Sequence, residues 1–170
     1  MNFDDIGLDP GDSCAYLKRG QAYAERDEHE KAIADFDEAI RLDPNNSLAY
    51  VSRGEVYLWR EKFDKAVCDF TGAIKLDPES PLAYASRGEA CLMQGDYAEA
   101  VKDFNEAIKL DPGVAPFYVS RGRAYRQLGQ RVQATEDLEK ALSLEPGLSW
   151  VAQELRELYG IREQIGSLWT

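Results

Sequence analysis

Residues able to do chemistry are few in this chain, and none stands in a working constellation. The one histidine, His29, has no serine, cysteine or carboxylate spaced to make it a general base. It shares its place in a recurring pattern with Phe63 and Tyr97, which reads as a packing position at the start of a helix. Cys14, Cys68 and Cys91 are odd in number and lack metal-ligand spacing. Cys91 replaces a tyrosine in a packing column and reads as a small core residue, whereas Cys68 reads as near the surface. Asp35-Phe-Asp37 lacks the glycine and the later oxygen ligands of a calcium loop. Phosphate-binding and dinucleotide-binding loops and C-x-x-C are also missing. No catalytic, cofactor or metal site is expected, and the chain reads as a non-enzyme.

One charged pattern does recur. Arg19, Arg53, Arg87 and Arg121 are each followed sixteen residues later by an aspartate: Asp35, Asp69, Asp103 and Asp137. Arginine's planar fork can engage a carboxylate through two parallel hydrogen bonds. The fourfold recurrence predicts a partly buried salt bridge in each copy rather than solvated charges. Breaking one by removing a single partner costs roughly 3–5 kcal/mol if the pair is fully buried.

The elements that position these pairs follow from a ruler of fixed length. Gly20, Gly54, Gly88 and Gly122 stand 34 residues apart, as do Pro44, Pro78, Pro112 and Pro146. Tyr16, Tyr50, Tyr84 and Tyr118 precede the glycines by four. Ala32, Phe36, Ala39 and Ile40 form a second stripe that also repeats. Both sets have the i, i+3, i+4, i+7 spacing of amphipathic helices, so each unit is a helix pair. Gly20 and Ala32 allow the two helices close approach, with Tyr16 or Phe36 filling the space beside them. Asp-Pro ends the second helix. Gly95 and Gly129 mark the inner turn of the last two units. Asp27 and Glu61 hold that place in the first two, and those turns are expected to accept an ordinary residue.

On these residues the chain resembles the tetratricopeptide repeat (TPR) family. The family pattern W-x2-L-G-x2-Y…A-x3-F…P reads here as Tyr16-x2-Arg19-Gly20-x2-Tyr23…Ala32-x3-Phe36…Pro44, and recurs three more times. Arginine in place of the usual leucine is the departure. The resemblance implies an all-α fold: a right-handed superhelical solenoid of antiparallel helix pairs whose first helices line a concave groove. The units are read as 13–46, 47–80, 81–114 and 115–148. Residues 1–12 read as a partial or degenerate repeat end, and 149–170 as a C-terminal capping helix and tail.

The expected peptide-binding surface is the groove. Its candidate residues are Leu17 and Gln21 in the first unit, then Val51, Glu55, Leu58 and Trp59 in the second. Ala85, Glu89, Leu92 and Met93 follow in the third, and Val119, Arg123 and Arg126 in the fourth. The middle is apolar and adaptable, which marks partner sites. Glu55 and Glu89 lie beside it, and the far end turns basic. This predicts an apolar ligand with positive charge near the middle units and an acidic group near the fourth. Some TPR proteins grip a chaperone's C-terminal carboxylate with lysines, asparagines and an arginine. The matching places here hold Leu17, Gln21, Ser52, Leu82 and Ser86; shifted by one unit, they hold Val51, Glu55, Ser86, Pro116 and Ser120. Neither register reproduces that clamp, so a chaperone tail is not an expected partner.

Bulk properties bound the rest. A net charge of −11 leaves no basic stripe for nucleic acid and disfavours anionic membranes. No apolar run is long enough to span a bilayer, and the N-terminus has no basic-then-apolar segment. With its odd cysteines, the chain is expected in the cytoplasm. Three functions stay open: an interaction scaffold or adaptor binding a peptide or partner helix, the recognition segment of a larger protein or enzyme, and a self-associating module. A homo-oligomer is compatible with the sequence but nothing in it calls for one.

Overall fold

The computed structural model describes residues 9 and 11–159. Among these residues there are nine helices and no strand. Four pairs run in order: α1 (Ser13–Ala24) with α2 (His29–Leu42), α3 (Ser47–Trp59) with α4 (Phe63–Leu76), α5 (Pro81–Gln94) with α6 (Tyr97–Leu110), and α7 (Ala115–Gln127) with α8 (Arg131–Leu144). A last helix, α9 (Ser149–Tyr159), packs on α8. Each helix packs on the next in sequence, and α1, α3, α5 and α7 also approach one another in a row. The architecture is an all-α solenoid ended by a capping helix. The readings of residues 1–8 as a repeat remnant and of 160–170 as tail fall outside the described residues.

Close approach within each pair is set by glycine against aromatic ring. A Cβ added to Gly20 would come within 2.6 Å of Phe36, and one added to Gly54 within 2.7 Å of Phe70. Those rings, with Phe104 and Leu138, are at most 1 % exposed. The alanines of the second stripe are buried beside them.

The first helices carry N-caps that also repeat. The carboxylate of Asp12 accepts from the backbone of Cys14 and Ala15. Asn46 does the same for Ala49, and Ser80 for Ala83. Val114 occupies that place before α7 and offers no side-chain acceptor.

The inner turns correct one expectation. Asp27 and Glu61 adopt φ of 60° and 56°, the same left-handed region as Gly95 and Gly129. In all four turns the next amide reaches back five residues, as in Lys62 to the Tyr57 carbonyl (2.8 Å) and Asp96 to that of Cys91 (2.8 Å). This is a Schellman ending, which places its C′ residue in left-handed geometry whatever the side chain. Asp27 and Glu61 are therefore strained rather than ordinary.

Candidate functional site

All four predicted Arg–Asp pairs form, each through two parallel hydrogen bonds. Arg19 donates from Nε and Nη2 to Asp35 at 2.7 Å each. The corresponding distances are 2.8 and 2.6 Å for Arg53–Asp69, and 2.8 and 2.7 Å for both Arg87–Asp103 and Arg121–Asp137. The aspartate side chains are nearly closed off from solvent and the arginines are mostly covered. The hydrogen bond to Asp69 is the main cause holding Arg53's pKa above its usual value. The remaining nitrogen of three arginines reaches backward: Arg53 to Asp37, Arg87 to Thr71 at 3.2 Å and Arg121 to Asn105 at 2.6 Å. Each of these bonds ties a unit to the one before it. Each arginine also lies over the tyrosine three residues earlier, at 5.6–5.9 Å from the ring centre. These pairs hold the frame; the surface that the frame presents lies on the first helices.

That surface is a chain of three cavities. The first, about 500 Å³, lies between the first and second units and is lined by Gln21, Glu25, Asp27, His29, Glu55 and Trp59, among others. The second, about 330 Å³, shares Glu55 and Trp59 with it and adds Leu58, Ala85, Glu89 and Phe117. The third, about 300 Å³, is lined by Leu92, Tyr97, Arg123, Arg126, Gln127 and Glu154. Trp59 is 80 % exposed, a large apolar surface left in water. Glu55 opens into the groove, but the surrounding walls desolvate its carboxylate and raise its pKa.

Several predicted positions fall elsewhere. Leu17, Val51 and Val119 are 4–7 % exposed, belong to the core and line none of these cavities. Ala85 shares their column and is equally buried, though one edge of it meets the second cavity. The cause is the number of neighbours. A first helix touches its own partner, the preceding second helix and the adjacent first helices, so its buried arc is wider than one stripe. Met93 is exposed but outside these three cavities. Arg123 and Arg126 do reach the third cavity, yet α9 engages both. Arg123 lies 4.8 Å over the Trp150 ring, and Arg126 donates to Glu154 at 2.8 Å.

Other lining residues were not singled out from the sequence as groove positions. His29 and Tyr97 line the first and third cavities from the start of their second helices. Their shared column with Phe63 was the available signal, and it read as packing alone. The Nδ1 atom of His29 is buried with no hydrogen-bond partner. Burial pushes the Cys91 thiol up to about 11, which keeps it protonated and inert near neutral pH. Among the described residues, no group of three or more His, Cys, Asp and Glu could hold a metal ion. Nor is any described helix long and apolar enough to cross a membrane.

A row of helix hairpins with cavities along its first helices defines a helical repeat protein. Tetratricopeptide repeat models match residues 51–115 and 115–147, and a TPR repeat model matches 20–58, so the chain belongs to the tetratricopeptide repeat family. No curated protein is significantly similar to it in sequence. Among solved structures, a crystal structure of MamA protein is 25 % identical, with a TM-score of 0.80, over 88 % of this chain and 84 % of that one. The first TPR of Spaghetti (RPAP3), bound to the HSP90 peptide SRMEEVD, is 28 % identical, with a TM-score of 0.67, over 70 % and 94 %. The Arabidopsis OM64 TPR domain is 30 % identical, with a TM-score of 0.65, over 67 % and 94 %.

Proposed function

We propose that this protein is a non-enzymatic interaction scaffold that receives a peptide or partner helix in the groove formed by α1, α3, α5 and α7. The observation that carries this reading is Trp59, exposed at the junction of two contiguous cavities. Large amphipathic side chains in such places are the usual anchors of binding energy. Acidic groups border the first two cavities, while the exposed arginines at the third are each engaged by an α9 side chain. The ligand on this reading is apolar with basic character. RPAP3's acidic peptide is a poor guide to it, because Leu17, Gln21, Ser52, Leu82 and Ser86 supply no cation to hold a carboxylate. Three unpaired cysteines, two of them exposed, are compatible with a reducing compartment such as the cytoplasm.

Selection from a random peptide library tests the reading. Wild-type protein should retain peptides that Trp59→Ala/Leu92→Ala loses, with the variant's fold checked by circular dichroism. Equal retention by both would move the binding surface off the groove.

A second reading, self-association, is favoured by a different feature. Leu48, Leu82 and Trp150 recur at one column, at the starts of α3, α5 and α9, and are 46–53 % exposed. Sedimentation showing one monomer mass across a wide concentration range would remove it.

A further inference from the structure

We infer that the cavity between the first and second units is a receptor for an arginine side chain of the partner. This rests on the reading that the groove is the binding surface, and it names what the groove's first cavity takes. Glu25, Asp27 and Glu55 border the cavity, and among the described residues none supplies them with an ion-pair partner. Arg60, beside Trp59 in sequence, is held by Glu30 at 2.6 Å. Elsewhere the chain neutralises its covered acids: Asp35, Asp69, Asp103 and Asp137 each have their own arginine. Glu25, Asp27 and Glu55 are exposed and have no arginine of their own, which leaves three like charges around one concavity. A cation entering there meets a strong negative field in a partly dehydrated site, where the attraction exceeds that on an open surface.

Two uncharged features fix the chemistry more narrowly. The Trp59 indole stands free at the mouth, and indole is the best aromatic face for a cation. Gln21 lines the same cavity and carries an amide oxygen able to accept a hydrogen bond. The cavity thus presents dispersed acceptors beside a flat aromatic surface. A guanidinium, planar and with five N–H donors, matches that set. An ammonium is a point donor that can reach fewer of these groups at once.

The test is an NMR titration of the full chain with Nα-acetyl-arginine methylamide, read at the Trp59 indole N–H. The uncharged isostere Nα-acetyl-citrulline methylamide is the control. Saturable shifts from the arginine probe, little response to citrulline, and roughly tenfold weaker binding in Glu55→Gln are expected. Glu55→Gln changes charge but not shape at an exposed position, so it leaves the fold intact. Equal responses to the two probes, an unchanged affinity in Glu55→Gln, or no saturable shift at Trp59 would each overturn the inference. The two readings fail separately. Library peptides that need Trp59 but tolerate citrulline would keep the groove and discard the guanidinium receptor. A cavity that takes the arginine probe while peptide retention ignores Trp59→Ala would do the reverse.

Discussion

Arg53 has three neighbours that each constrain it. It forks onto Asp69, reaches back to Asp37 and lies over the Tyr50 ring. Removing the Asp69 charge leaves a mostly covered guanidinium with only a more exposed acid to answer it. The guanidinium keeps some solvent contact, so the cost falls below that of a fully buried pair. Asp69→Asn should lower unfolding free energy by about 2 kcal/mol, against under about 0.5 for exposed Glu79→Gln. Urea denaturation of the two variants gives the comparison, and equal small losses would reduce the pairs to surface charges. The forward contact was legible because Arg and Asp never change across four copies. The backward contact was not, since its column reads Asp37, Thr71, Asn105: one hydrogen-bonding role in three chemical types. Left-handed backbone was hidden for a related reason. Glycine announces it at Gly95 and Gly129, while Asp27 and Glu61 carry it silently. Glutamate gains no local bond there to offset the steric cost, so Glu61→Gly should raise stability by about 0.5–1 kcal/mol. A lower urea midpoint for this variant would contradict the strain argument.

Among the first helices of the four pairs, α7 alone starts without a side-chain cap. Asp12, Asn46 and Ser80 each satisfy an amide of the first turn, and Val114 cannot. Pro116 sits in the first turn of α7 and removes one donor from the count but not the others. Val114→Asp should therefore stabilise by about 1 kcal/mol through a cap bond and a favourable charge at the helix N-terminus. An upward shift in thermal midpoint checks it; no shift would mean that the α7 amides are already satisfied by water. The same scale explains why groove residues were harder to place than helices. Periodicity finds an apolar stripe, but a first helix of a solenoid is enclosed on several sides. Leu17, Val51 and Val119 therefore face neighbouring helices while Trp59, at the last position of α3, escapes. Position along the helix, not only angle around it, decides what is open.

At the scale of the array, the main helix contacts among the described residues run between neighbours, so stability is assembled locally and can be lost locally. The final apolar face is closed by α9: Val151, Leu155 and Leu158 pack with Ala134, Leu138 and Ala141. The sequence showed that such a helix was needed. It did not show that the same helix also reaches sideways, through Trp150 and Glu154, to the arginines of α7. Those two contacts bring α9 against the fourth unit's first helix, where Arg123 and Arg126 stay exposed but are each engaged by an α9 side chain. Loosening α9 should then have two linked effects confined to one end. Leu155→Ala removes buried volume worth about 2–4 kcal/mol to the last unit. Amide exchange in α7, α8 and α9 should accelerate while α1–α4 keep their protection. Uniform acceleration from α1 to α9 would instead mean that the array unfolds as one cooperative block, and that the cap stabilises every unit rather than its neighbour.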